Sequence, residues 1–451
     1  MINKNHFKKK LVYSLFLLLL FYSCSNKENN QSDQSSMFMG NSQHTGYYNS
    51  PSVKTEPDIL WKVKTEGQVI SSPTLANNII YVGSEDHKLY AIDATTGTVK
   101  WTYKTNGPVH STPLVAKGKV MFLSYDGFFY ALSQNNGKLV WKFKTRGESI
   151  FKVKDYYNGS FQPDFWDFYL SSAIFHNDRV YFGSSDSNVY SLNAESGEMI
   201  WTYKTGGSIH SSPAIYENSL VIGSWDSKIY CLDAESGKQN WSYSTGRDTA
   251  QYIWLGIQAS PSVENGIAYI GSRDAKFYAF SIETGDTLWS NNNFDRSWMP
   301  SSAAIGKENI YTGSSDSFSF FSISKDKGDI NYATKTNSYT FSSPAIDDEM
   351  VYIGSANGRL YGINLDNGEI KWEFETIGCK TDTTNVFNTE GKMDMEKIKP
   401  LVADIKDMPT LSSLYEEIFT NTGAILSSPV VSKQVIYFGS SDGFVYAITN
   451  K

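Results

Sequence analysis

The chain has 451 residues, a net charge of −7 at neutral pH, 15% aromatic residues and only three cysteines. An acidic surface is a poor partner for nucleic acid or anionic lipid, and so few cysteines exclude a disulfide-built scaffold. Length by itself would suggest about three domains, but an internal repeat overrides that prior.

Residues 1–23 read as a processing segment, in which Lys4, Lys8, Lys9 and Lys10 precede an apolar stretch from Leu11 to Tyr22. That run is shorter than the roughly 20 apolar residues a membrane span needs, and it suits a secretory signal. Its ending, Phe21-Tyr22-Ser23-Cys24, resembles a bacterial lipobox. The resemblance implies that Cys24 is acylated, palmitate being one such acyl group, and anchors the mature chain to the cell outer membrane. Losing four lysines and no acid with the signal takes the net charge from −7 to −11. Residues 24–36 are polar and poor in apolar side chains, the composition of a flexible tether.

Residues 37–451 are governed by a repeat. Copies aligned on the residue that closes a Ser-rich tripeptide fall at Pro73, Pro113, Ala173, Pro213, Pro261, Ala303, Pro344 and Pro429. Ten residues further on stand Gly83, Leu123, Gly183, Gly223, Gly271, Gly313, Gly354 and Gly439. Seven copies end on an aromatic: Trp101, Trp141, Trp201, Trp241, Trp289, Tyr332 and Trp372. Each copy holds four short runs rich in Val, Ile, Tyr and Trp, such as ISSPTLA, IIYVGS, KLYAIDA and VKWTYKT, broken by turn signals. Four strands per unit make a propeller blade, whereas a helical solenoid would show a 3.6-residue apolar period. With the strands named A to D from the channel outward, Pro in strand A suits an inner sheet edge.

The strand count predicts how the ring closes. The last copy stops on strand C at Tyr446-Ala447-Ile448, while Ile59-Leu60-Trp61-Lys62-Val63 is an orphan strand D at the other end. Joined, they complete an eighth blade and remove an aggregation-prone edge. The expected fold is therefore all-β: an eight-bladed β-propeller of four-stranded antiparallel blades, closed by the N-terminal strand.

Extra length is confined to one phase, the link from strand D to the next strand A, with long insertions at 147–170 and 377–423. In a meander these links share a face with the B–C turns, so that face is the candidate binding surface. The first insertion brings Tyr156, Phe165 and Trp166, and the next two links bring Arg247, Trp254, Arg296 and Trp298. Aromatics and Arg on loops are what protein interfaces and sugar-binding grooves use. The second insertion has amphipathic helical spacing at 393–399 and 411–419 and reads as a small helical cap.

Several tempting groups read as structural. Asp in the B–C turns (Asp86, Asp126, Asp186, Asp226, Asp274, Asp316 and Asp442) suits turn formation rather than a carboxylate ring. His110 and His210 share one phase of strand A, facing the channel without a third ligand. Asp155 and Asp164 stand as loop acids without an identifiable partner. Cys231 reads as a small core residue, and blades four and eight lie too far apart for Cys231 to pair with Cys379. No Cys/His spacing suggests a metal, and no nucleophile elbow or phosphate loop stands out.

The stretch Ala91-x-Asp93-x-x-Thr96-Gly97-x-x-x-Trp101, repeated around Cys231-Leu232-Asp233 to Trp241, is similar to the tryptophan-docking motif of PQQ-repeat propellers. The segment MFMGNSQHTG at 37–46 resembles the lead-in of that superfamily, with His44 as a packed structural histidine. One branch, the quinoprotein dehydrogenases, implies PQQ with calcium, a catalytic Asp and a vicinal disulfide. No Cys-Cys pair occurs here and no calcium set maps onto the chain. The other branch, outer-membrane assembly lipoproteins of the BamB type, implies a monomeric, non-catalytic scaffold without cofactor, bound to envelope proteins such as β-barrel assembly components. The expectation is the second, with a PQQ-dependent dehydrogenase and a carbohydrate-binding surface lipoprotein as alternatives.

Overall fold

The computed structural model describes residues 35–155, 157–246 and 255–451. The expected anchor Cys24 and the candidates Tyr156, Arg247 and Trp254 lie outside the described residues. Eight four-stranded antiparallel sheets form the blades. Blade 1, for instance, comprises Thr74–Ala76, Ile79–Gly83, Lys88–Asp93 and Val99–Lys104. Blade 8 is composite, as the strand count requires. Pro57–Lys64 pairs antiparallel with Phe444–Asn450, with Trp61 opposite Ala447.

Neighbouring blades are joined by the aromatic of strand D. The Trp61 indole donates to the Ala94 carbonyl (2.9 Å), Trp201 to Ala234 (3.0 Å), Trp241 to Ile282 (2.8 Å) and Trp289 to Lys325 (2.7 Å). Tyr332 stands in through its hydroxyl, which donates to Leu365. Each ring lies on the C–D turn glycine of the next blade. Gly97 has φ 71°, and a Cβ there would sit 2.9 Å from the Trp61 ring. That position therefore needs glycine twice over, for its backbone angle and for the approach of the indole. At the seam blade 8 has no C–D turn, and the Trp372 indole donates instead to the Val53 carbonyl (2.8 Å).

The inner edge is satisfied by the chain itself. A serine relay runs round the channel: the Thr112 amide donates to Ser172 Oγ (2.8 Å), Ser172 to Ser212, Ser212 to Ser260, Ser260 to Ser302, Ser302 to Ser343, Ser343 to Ser428 and Ser428 to Ser72. The lead-in crosses one mouth of the channel. Its carbonyls at Ser36, Ser42, Gln43, Thr45 and Gly46 accept from the strand-A amides of Val115, Ile215, Val263, Ile305 and Ile346. His44 is buried there with Nδ1 against the Pro261 carbonyl (3.0 Å), while its Nε2 is buried without a hydrogen-bond partner. The lead-in histidine is thus packed but only half satisfied, and burial holds its pKa down at about 4.

The B–C aspartates are structural, and they do more than shape their own turn. In blade 3 Asp186 accepts from the Asn188 amide (2.9 Å), the Arg146 amide (2.8 Å) and the Tyr190 hydroxyl (2.7 Å). The carboxylate so pins the incoming D–A link to the blade. Cys231 is buried, its thiol pushed up to about 11 by desolvation, and both described cysteines are free. Replacing Trp201 by Ala should cost about 3–5 kcal/mol, read as a lower urea midpoint, whereas Val99→Ala on the exposed outer strand should shift it by under about 1 kcal/mol.

Candidate functional site

The long D–A links emerge on one face and fuse into a single platform over the other mouth of the channel. In the first insertion Lys152–Lys154 and Phe161–Pro163 form a hairpin, and residues 164–169 turn down into the channel. The second insertion folds as α1 (Ile377–Thr381), α2 (Met395–Val402) and α3 (Met408–Thr422). Asp407 caps α3 through the Thr410 amide, Pro409 sits in its first turn, and Gly423 ends it in a left-handed turn. The helix α2 runs past the 393–399 stretch of apolar spacing and includes Pro400. Val153, Trp166, Trp298, Tyr339, Phe341, Met408, Ile418 and Phe419 bury one another in one core, with Phe165 and Tyr415 against it.

The descending segment is held by the very strand-A phase that carries His110 and His210. His110 donates through Nδ1 to the Phe168 carbonyl (2.6 Å) and through Nε2 to the Glu85 carboxylate. Two acceptors favour the imidazolium. Burial alone would lower its pKa, but the Glu85 charge and both hydrogen bonds outweigh burial and raise it. His210 pairs with Asp167 (2.7 Å), Gln258 donates to the Trp166 carbonyl (2.8 Å), and Tyr169 donates to the Leu426 carbonyl (2.8 Å). Trp166 itself, 7% exposed, packs on Tyr339, Phe341, Tyr415 and Phe419.

Asp155 and Asp164, expected to stand alone, are both partnered. Asp155 accepts from the Met408 amide at the start of α3 (3.1 Å), which joins the two insertions. Asp164 forms a buried ion pair with Arg273 (2.5 Å), whose guanidinium lies over Trp225 (4.2 Å) and Trp298 (4.7 Å). Arg273 sits in a B–C turn position that is small in four of the eight copies (Ser185, Ser315, Ala356 and Ser441) and large in the other four, among them Glu85 and Trp225, which also face this site. Burial raises the Asp164 pKa despite the arginine.

Of the described candidates, Trp166 and Trp298 are therefore buried fasteners, Phe165 is half-buried against Tyr415, and Arg296 is exposed. The aromatic most offered to solvent, Phe161, 70% exposed on the hairpin, is not among the named candidates, and Tyr157 and Ile150 are exposed in the same insertion. Inside, the channel between lead-in and platform holds a cavity of about 30 Å³ lined by the serine relay, His110 and His210. A second cavity of about 190 Å³ lies between the descending segment and α3, lined by Glu85, Phe165, Phe168 and Tyr415. Among the described residues no three His, Cys, Asp or Glu side chains gather as a metal set.

A family model described as outer membrane protein assembly factor BamB matches residues 55–154 and 166–374. The chain belongs to that family. Among solved structures, BamB from Moraxella catarrhalis is similar at 16% identity, covering 87% of this chain and 99% of that one with a TM-score of 0.63. Quinohemoprotein alcohol dehydrogenase from Comamonas testosteroni is similar at 13% identity, 94% and 82% coverage and a TM-score of 0.68. A europium-containing methanol dehydrogenase gives 12%, 93%, 99% and 0.66. These likenesses show the shared propeller fold alone, and among curated proteins none matches. The BamB-family match skips residues 155–165 and ends at 374, so parts of the platform lie outside it.

Two outcomes follow from the platform's anchoring. Arg273→Ala leaves Asp164 buried and uncompensated and should cost about 3–5 kcal/mol, whereas the paired Arg273→Met, Asp164→Leu variant should recover most of that. Because the His110 pKa is raised on folding, its clamp contributes in full below the unfolded value of about 6.5 and is lost as pH rises through the folded value. The stability lost in Glu85→Gln should accordingly be larger at pH 6 than at pH 9, measured by urea midpoints.

Proposed function

We propose that this BamB-family chain is a non-catalytic scaffold of the cell envelope, held to the outer membrane through an acylated Cys24, and that its insertion face docks proteins of β-barrel assembly. The observation that carries the reading is the platform. Three loops spend their aromatics on fastening one another over the channel, which makes a rigid, protein-sized face with exposed Phe161, Tyr157, Met395 and Leu401. A rigid face with a few exposed apolar anchors is what protein interfaces use. Family membership supplies the assembly context.

Within the channel and its seam, space argues against PQQ. Cofactor-sized ligands occupy about 300–1,000 Å³, and neither the 30 Å³ channel nor the 190 Å³ seam cavity offers that. The donor set fits no better, because Asp164, Asp167 and Glu85 are taken by Arg273, His210 and His110. The test has two arms. Affinity capture of the full chain from solubilised envelopes should retain β-barrel assembly components, and Phe161→Asp should reduce their recovery at least fivefold with the melting temperature unchanged. Stoichiometric PQQ binding in the presence of calcium, with dye-linked alcohol oxidation, would contradict the reading.

A further inference from the structure

Strand D begins beside the C–D turn, on the opposite face from the platform, and the two residues before its aromatic point outward. Around the ring those pairs are not alike. Blades 8, 1, 2 and 3 carry Ile59-Leu60, Val99-Lys100, Leu139-Val140 and Met199-Ile200, whereas blade 4 carries Gln239-Asn240 and blades 5, 6 and 7 carry Thr287-Leu288, Ile330-Asn331 and Ile370-Lys371. All seven apolar side chains of the first arc are exposed, Val140 at 49% and Met199 at 51%. Single exposed apolar residues are ordinary, but a run over four successive blades makes a band on one side of the disc.

The position of the lead-in gives the band an occupant. Ser36 is paired both ways with Val115 in strand A of blade 2, through amide to carbonyl bonds of 2.9 and 2.7 Å. Strand A of that blade reaches Val115 just before the A–B turn, and in an antiparallel meander A–B and C–D turns share a face. The chain therefore enters the propeller on the same face as the apolar band and within the band's own arc. From strand A to strand D is three inter-strand steps, about 15 Å. Twelve residues separate Cys24 from Ser36, a chain length that spans at most about 40 Å extended and about 20 Å on average.

We infer that the arc formed by Ile59, Leu60, Val99, Leu139, Val140, Met199 and Ile200 rests on the lipid bilayer, so that the propeller is held with its insertion platform turned away from the membrane. The inference builds on the proposed anchor at Cys24 and adds what that anchor alone does not give, an orientation. The contact is apolar rather than electrostatic, because the acidic mature chain is a poor partner for anionic lipid. Neutral headgroups therefore suffice. A short tether and a shallow apolar rim act as two signals, each marginal alone and sufficient jointly.

The experiment uses the full lipidated chain on phosphatidylcholine–phosphatidylethanolamine vesicles containing a nitroxide-labelled lipid. In a Cys379→Ser background, with Cys231 buried, an environment-sensitive fluorophore is placed at Val140→Cys, Asn240→Cys or Phe161→Cys, one at a time. Flotation reports the anchor and quenching reports the rim. The expected result is flotation of all three, with quenching at Val140→Cys at least threefold that at Asn240→Cys and at Phe161→Cys. Flotation with equal quenching at the three positions would overturn the orientation while leaving the anchor intact. Failure to float would remove the anchor and the rim contact with it. As a second readout, Leu139→Ser with Val140→Ser should abolish the quenching difference without altering flotation.

Discussion

Eight sheets in a ring leave eight inner edges, and their free amides are the constraint the whole molecule answers to. Backbone donors cannot be buried without partners, and a channel too narrow for much water cannot supply them. At seven blade junctions a strand-A amide, of serine or of Thr112, donates to a serine hydroxyl of the next blade, and the lead-in lies across one mouth as a strap that accepts five more. The repeated Ser-Ser-Pro is thus a device for closing a ring. Its small side chain lets the blades approach, its hydroxyl replaces the missing strand, and the proline comes where no ladder amide is needed.

The same phase of the chain that closes the ring also receives the platform. Residues at the top of strand A differ from blade to blade, and the differences are what hold the descending segment: His110, His210 and Gln258 bond its carbonyls and Asp167, while Phe341 and Leu426 pack its rings or accept from Tyr169. Three ion pairs at the mouth, Asp164 with Arg273, Asp167 with His210 and Glu85 with His110, each cross between an insertion and a blade or between two blades. Such pairs add little net stability but penalise any other arrangement, since separating one leaves a charge in a dry core. A loop of more than twenty residues is thereby given one conformation, which a docking face requires.

Most of the scaffold was legible because a repeat states its own grammar. Fixed spacing joined the orphan strand at 59–63 to the last strand C at 446–448, and the single phase of insertion placed the long links on one face. What the sequence concealed was partnership across that face. Asp164 meets Arg273 at a separation of 109 residues, and nothing local marks the two as a pair. Exposure was equally hidden: Trp166 and Phe161 lie five residues apart on one loop, yet one is a buried fastener and the other stands in solvent. Composition says that a loop is aromatic, while only packing says which ring is spent on the fold.

Amide hydrogen exchange along strand A tests most directly whether the channel is sealed by the chain's own segments. If it is, the amides of Thr112, Ser172, Ser212, Ser260, Ser302, Ser343 and Ser428 exchange at least as slowly as those of the central strands B and C, and far more slowly than the outer amides of strand D. Inner amides exchanging as fast as those of strand D would mean an open, water-filled channel, and would contradict a propeller closed at both mouths.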